Sequence, residues 1–163
     1  EPGQNGMDRV EFMLSANPGE SLKPLEKVAS GGEMSRIMLA FKAIAANADS
    51  IPTLIFDEID TGISGHIAAV VGEKMVSIAD NHQVLCVTHL PQIAALADVH
   101  FMVQKQDDGQ TTRTSLKRLE MEERYEYIAR MMSGMEDSKL AYEHARELIT
   151  HSEEIKQKRR KNK

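Results

Sequence analysis

Residues 53–62 read TLIFDEIDTG, and this stretch decides how the chain is built. Thr53 to Phe56 is a short apolar run of strand type, closed by Asp57, and Glu58 follows at once. Successive strand side chains point to opposite faces, so the two carboxylates cannot share one aim. Two acids with different aims at a strand tip suit two tasks. One can hold a hydrated Mg²⁺ and the other can orient or deprotonate a water. A strand running into a solvated acidic turn would use the same residues, so the flanking sequence must choose between the two.

Downstream, Asp60-Thr61-Gly62 and Ser64-Gly65 spell a turn. The spacing of Ile67, Val71, Met75 and Ile78 predicts a helix over about 66–79. Gln83 to Thr88, QVLCVT, is a second continuously apolar strand. Neither strand alternates, which predicts cover on both faces of a parallel sheet. Strand, helix and strand over these residues form a βαβ unit with a right-handed crossover. His89 then falls at the same sheet edge as Asp57 and Glu58, where open α/β sheets bind ligands.

Upstream, Ala29-Ser30-Gly31-Gly32-Glu33 opens a helix predicted to run to about Ala48, with Met34, Ile37, Phe41, Ile44 and Ala48 inward. Ser30 and Glu33 have capping-box spacing. That box does not explain Gly31 and Gly32, which weaken a helix start. They make sense if another chain or an anion approaches the backbone closely, and a helix N-terminus with bare N–H groups suits a phosphate. Earlier, Asp8 to Ser15 alternates as a half-buried strand, followed by the Asn17-Pro18-Gly19 turn.

Beyond His89, a short helix is predicted over 91–97, then a hairpin with arms Val99–Lys105 and Thr111–Leu119 around Asp107-Asp108-Gly109. Helices follow over 120–132, with Met121, Tyr125, Ile128 and Met132 inward, and over about 139–156, capped by Ser138, with Ala141, Ala145, Leu148 and Ile155 inward. The sole cysteine, Cys86, sits in an apolar run and reads as a core thiol, which fits the cytosol. No apolar run approaches the roughly 18 residues of a membrane span. The net charge of −5 is uneven. Residues 156–163, KQKRRKNK, carry six basic residues, against 14 basic and 25 acidic residues in the rest. That tail suits either a solvated helix end or contact with nucleic acid.

SGGE, TLIFDE, DTG and VTH, in this order, resemble the C-terminal lobe of an ABC-type ATPase head, and within that superfamily the SMC-like DNA repair proteins. NPGESLKPLEKVASGGEMSRIMLAFKAI, IFDEIDTGISG and VTHLPQIAALAD narrow the resemblance to the RecN family over residues about 8–105. The resemblance implies an α/β fold with a mainly parallel sheet, flanking helices, a β-hairpin and C-terminal helices. Residues 1–155 would be the lobe and 156–163 the basic tail. It assigns Ser30, Gly31, Gly32 and Glu33 to a signature motif that contacts the γ-phosphate of ATP on an opposing head. Asp57 becomes the Walker B acid on Mg²⁺, Glu58 the carboxylate that positions the attacking water, Asp60 the start of a D-loop at the head–head interface, and His89 the switch histidine. The function implied is ATP-dependent recombinational repair of DNA double-strand breaks by a bacterial, cytoplasmic, nucleoid-associated homodimer that binds DNA. Glu33, where transporters usually carry Gln, weighs against a transporter nucleotide-binding domain. A non-catalytic interaction module is the other alternative.

No GxxxxGK[ST] is present in these residues. The chain is therefore expected to be a C-terminal fragment that neither binds ATP tightly nor hydrolyses it alone. Its two apolar strands are expected to lose part of their cover without a P-loop lobe.

Overall fold

The computed structural model describes residues 6–8, 10–15, 18–28, 30–45, 51–107, 111–134 and 138–161. Two short strands, β1 (Met13–Leu14) and β2 (Lys23–Pro24), pair antiparallel and lead into a single helical turn, α1 (Leu25–Val28). The strand expected over 8–15 is thus much shorter, and it is largely exposed. The long helix α2 (Gly31–Ala45) follows. Its expected end near Ala48 lies outside the described residues.

The strand β3 (Thr53–Phe56), the helix α3 (Gly65–Ala79) and the strand β4 (Gln83–Cys86) form the βαβ unit. β3 and β4 are parallel in the register Phe56↔Cys86, and Val87 N–H extends the ladder to Phe56 O at 3.0 Å. A buried cluster of Leu39, Leu54, Phe56, Ile59, Ala68, Val71, Met75, Ile78 and Ile93 packs α2 and α3 on one face of this pair. The expectation of two covered faces fails within this chain. Ile55 is 71% exposed, and Leu85 and Val87 on the same side are also exposed. Continuous apolar character marks the strands as needing two covers, and this chain supplies one of them.

The described residues do not form the mainly parallel sheet expected. Among the described residues there are three two-stranded sheets, and only β3–β4 is parallel. The predicted inward face of α2 also shifts: Leu39 is buried, while Phe41 and Ile44 are exposed. Apolar residues surround much of this helix, so periodicity alone could not select a face. Phe41 instead meets Phe12 edge-on, with centroids 5.8 Å apart. In α3, Ala68 replaces Ile67 as the buried residue of the first turn.

A short turn, α4 (Pro91–Ala94), then carries the chain into the hairpin of β5 (Phe101–Asp107) and β6 (Thr112–Arg118), whose register closes at Asp107↔Thr112. The last two helices, α5 (Met121–Ser133) and α6 (Lys139–Lys161), enclose a second core of Ala95, Ile128, Ala129, Ala141, Ala145 and Ile149. Glu120 and Glu123 form a capping box at the start of α5, and Ser138 Oγ accepts from Ala141 N–H at 3.3 Å. Met121 and Met132, expected inward, are exposed, and their helix buries Arg124 and Ala129 instead.

Arg124 reaches across to the turn after α4 and donates to Ala97 O at 2.8 Å and Ala95 O at 3.4 Å. Lys156, also buried, bonds Asp98 at 2.9 Å and Glu153 at 2.8 Å. Arg159 pairs with Asp80 at the end of α3, at 3.1 Å. The helix α6 therefore continues through residue 161, and two of the basic residues of the 156–163 stretch tie it to the body of the fold.

Candidate functional site at the sheet edge

The site is assembled where the N-terminus of α2 meets the turn that follows β3. Ser30 precedes the helix, and its N–H and hydroxyl donate to Glu33 Oε2 at 2.9 and 3.1 Å. Glu33 N–H in turn reaches Ser30 Oγ at 3.4 Å, closing the capping box. The bonds from the Ser30 N–H and then from its hydroxyl hold the Glu33 carboxyl below its ordinary range.

The close approach expected at the two glycines is present, but the approaching groups belong to this chain. A Cβ on Gly31 would lie 2.4 Å from Glu58 Oε2. A Cβ on Gly32 would lie 2.9 Å from Glu58 O and 3.0 Å from both Thr61 Cβ and Thr61 O. The Glu58 carboxylate lies beside this helix start. Glu58 achieves this through a left-handed backbone, with φ of 57°, the only non-glycine positive φ among the described residues. Its N–H is taken by Asp57 Oδ1 at 2.9 Å, and its carbonyl accepts from Thr61 N–H at 3.1 Å. β3 ends at Phe56, so strand alternation does not set the two acids; the left-handed step at Glu58 does. Asp57 stays exposed at the strand tip while Glu58 turns back over Gly31. Such a conformation in a non-glycine residue costs on the order of 1–3 kcal/mol and is typical of functional turns.

Two residues of α2 that the sequence reading passed over hold this turn. Ser35 Oγ donates to Asp57 O at 2.9 Å. Arg36 Nη1 donates to Ile59 O at 3.1 Å and Thr61 O at 2.8 Å. Their signal was available: adjacent polar residues in the second turn of an otherwise apolar helix.

Asp60 is buried beneath the turn. One oxygen, Oδ2, accepts from Thr88 Oγ1 at 2.6 Å and His89 N–H at 2.8 Å, and lies 3.0 Å from His89 Nδ1. Burial pushes the Asp60 carboxyl up. The Thr88 hydroxyl, the His89 N–H and the charge of the His89 ring outweigh it and hold the group below its ordinary value. The His89 side chain is itself 73% exposed. Nearby Cys86 is the opposite case: burial, then the charges of Asp60 and Asp57, push its thiol up to about 12.

Ser30, Gly31, Gly32, Glu33, Asp57, Glu58, Asp60 and His89 therefore fall in one contact network. The helix start rests on the Glu58–Thr61 turn, and that turn is bonded to the end of β4. No group of three or more His, Cys, Asp or Glu side chains among the described residues could hold a metal ion by itself. An exposed Asp57 at a strand tip does fit Mg²⁺, which is usually bound by one or two carboxylates together with substrate phosphates. No helix among the described residues is long and apolar enough to cross a membrane.

No protein-family model matches the chain. Curated relatives do. DNA repair protein RecN of Halalkalibacterium halodurans is 51% identical over 153 residues, covering 94% of this chain and 27% of that protein. RecN of Bacillus subtilis is 46% identical over 154 residues, again 94% of this chain and 27% of the relative. A solved chain from structural work on ATP-driven dimerization and DNA-stimulated activation of SMC ATPases aligns at 21% identity with a TM-score of 0.46, over 71% of this chain and 68% of that one. This chain spans about a quarter of the length of the curated relatives it matches. Identity at this level along nearly all of its residues makes the chain a member of the RecN family, over the part of those proteins that it spans.

Proposed function

We propose that this chain is the C-terminal lobe of an SMC-like, ABC-type ATPase head, and that it serves ATP-dependent recombinational repair of DNA double-strand breaks. The observation that carries the reading is the convergence of the α2 start, Asp57, Glu58 and His89 at the carboxyl ends of β3 and β4. Phosphoryl transfer asks the protein mainly for positioned charge and donors, with little covalent chemistry of its own, and this edge offers both.

In this reading the Ser30–Glu33 helix start meets a phosphate of ATP on an opposing head, with Gly31 and Gly32 supplying the N–H groups that the capping box does not use. Asp57 would hold Mg²⁺, which would supply positive charge against the phosphates. Glu58 orients the attacking water and takes its proton. His89 meets the terminal phosphate from the end of β4. The working protein would be a homodimer, at least while nucleotide is bound, acting on DNA in the bacterial cytoplasm at the nucleoid. No P-loop motif occurs in these residues, so the phosphate cradle must come from another polypeptide segment.

The test combines this chain with a P-loop-bearing polypeptide from a RecN protein and measures ATP turnover. Turnover is expected only from the mixture, and Glu58→Gln should lower it by about 10²-fold or more. Turnover by the chain alone, or a mixture indifferent to Glu58→Gln, would overturn the reading. Binding of the two pieces without any turnover would favour an interaction module.

A further inference from the structure

We infer that Asp60 is a positioning residue for His89: its buried carboxylate accepts a hydrogen bond from Nδ1–H and leaves Nε2 as the working nitrogen. The inference rests on the reading of His89 as the phosphate-facing group. It differs from the interface role that the family resemblance gives the Asp60 loop, because the contact lies within one chain.

The geometry carries it. A single oxygen, Asp60 Oδ2, gathers the Thr88 hydroxyl, the His89 backbone N–H and His89 Nδ1 within 3.0 Å. Thr88 Oγ1 also accepts from Leu90 N–H at 3.0 Å, so both neighbours of His89 are pinned. A carboxylate can only accept, so Nδ1 must carry hydrogen. The ring is thereby held in one tautomer and one orientation, although most of its surface is in solvent. The consequence is chemical. In neutral His89, Nε2 has only a lone pair and can accept a proton. It can donate to a phosphate oxygen only once Nε2 also carries a proton. Without Asp60, the ring could offer Nε2–H while neutral and would lose this coupling between proton and phosphate.

The test is ¹⁵N NMR of this chain labelled at histidine, at a pH high enough that the imidazoles are neutral, with His89→Gln for assignment. His89 is expected almost wholly as the Nδ1–H tautomer. His82 serves as the internal report on folding, because it is buried and its Nδ1 lies 2.8 Å from Ile51 O. Asp60→Ala should reduce the Nδ1–H form of His89 to a minority and leave His82 unchanged. Asp60→Asn keeps the shape without the charge, and should shift the His89 Nδ1 signal or reverse the tautomer. A wild-type His89 protonated on Nε2 overturns the inference. So does a His89 signal unchanged by either substitution while His82 stays native. If Asp60→Ala unfolds the chain, the wild-type tautomer and the Asp60→Asn shift decide. None of these readouts needs ATP, so failure here is distinct from failure of the ATPase reading.

Discussion

Gly31 and Gly32 stand side by side in the sequence, but their replacement by alanine should have opposite consequences. A methyl on Gly31 meets the far end of one flexible side chain, Glu58 Oε2. That carboxylate can swing into solvent, because Glu58 is exposed. Gly31→Ala should therefore be neutral or gain up to about 1 kcal/mol from helix propensity. A methyl on Gly32 meets two backbone carbonyls and a Cβ, all at about the limit of contact. The turn cannot easily retreat, since Arg36 is bonded to Ile59 O and Thr61 O and Ser35 to Asp57 O. Overpacking of this kind costs about 1–3 kcal/mol, and the propensity gain offsets up to about 1 of it. Gly32→Ala should thus lose about 1–2 kcal/mol, a drop in Tm of roughly 2–8 °C for a chain of this size. Urea unfolding of the three proteins, with equal m-values, measures the difference. A Gly32→Ala variant as stable as wild type, or less damaging than Gly31→Ala, would refute the claim that α2 packs on this turn.

Asp60 should also leave a mark on stability against pH. Its folded value is depressed, so it stabilises the fold above the ordinary aspartate range near pH ~4, and that contribution is lost as pH falls through the depressed value. The stability gap between wild type and Asp60→Asn should be flat above about pH 5 and shrink below about pH 4, as read by urea midpoints in an acid series. Arg124→Leu should remove the donor 2.8 Å from Ala97 O, leaving only the longer 3.5 Å contact from Lys156 Nζ, and cost about 1–3 kcal/mol, seen as a lower thermal midpoint. Cys86, with its thiol pushed up to about 12, should resist alkylation at pH 8 in the native chain and react readily in urea; fast native labelling would contradict the packing of β4.

Much of this protein is local and could be read from the sequence. The βαβ unit, the capping box at Ser30 and Glu33, the cap at Ser138 and the hairpin arms all follow from short-range pattern and side-chain chemistry. The edge where Asp57, Glu58 and His89 gather follows as well, because parallel strands must end on the same side. Tertiary structure alone decided which face of α2 is buried, because an apolar surface most of the way round has no preferred side until a sheet is set against it. It decided that Gly31 and Gly32 receive Glu58 and Thr61 from the same chain, since a glycine pair announces a close approach but not its source. It also decided that Asp60 is a buried partner of Thr88 and His89, 28 and 29 residues away. That bond depends on how a left-handed residue folds the turn under the sheet edge, a geometry that no linear spacing encodes.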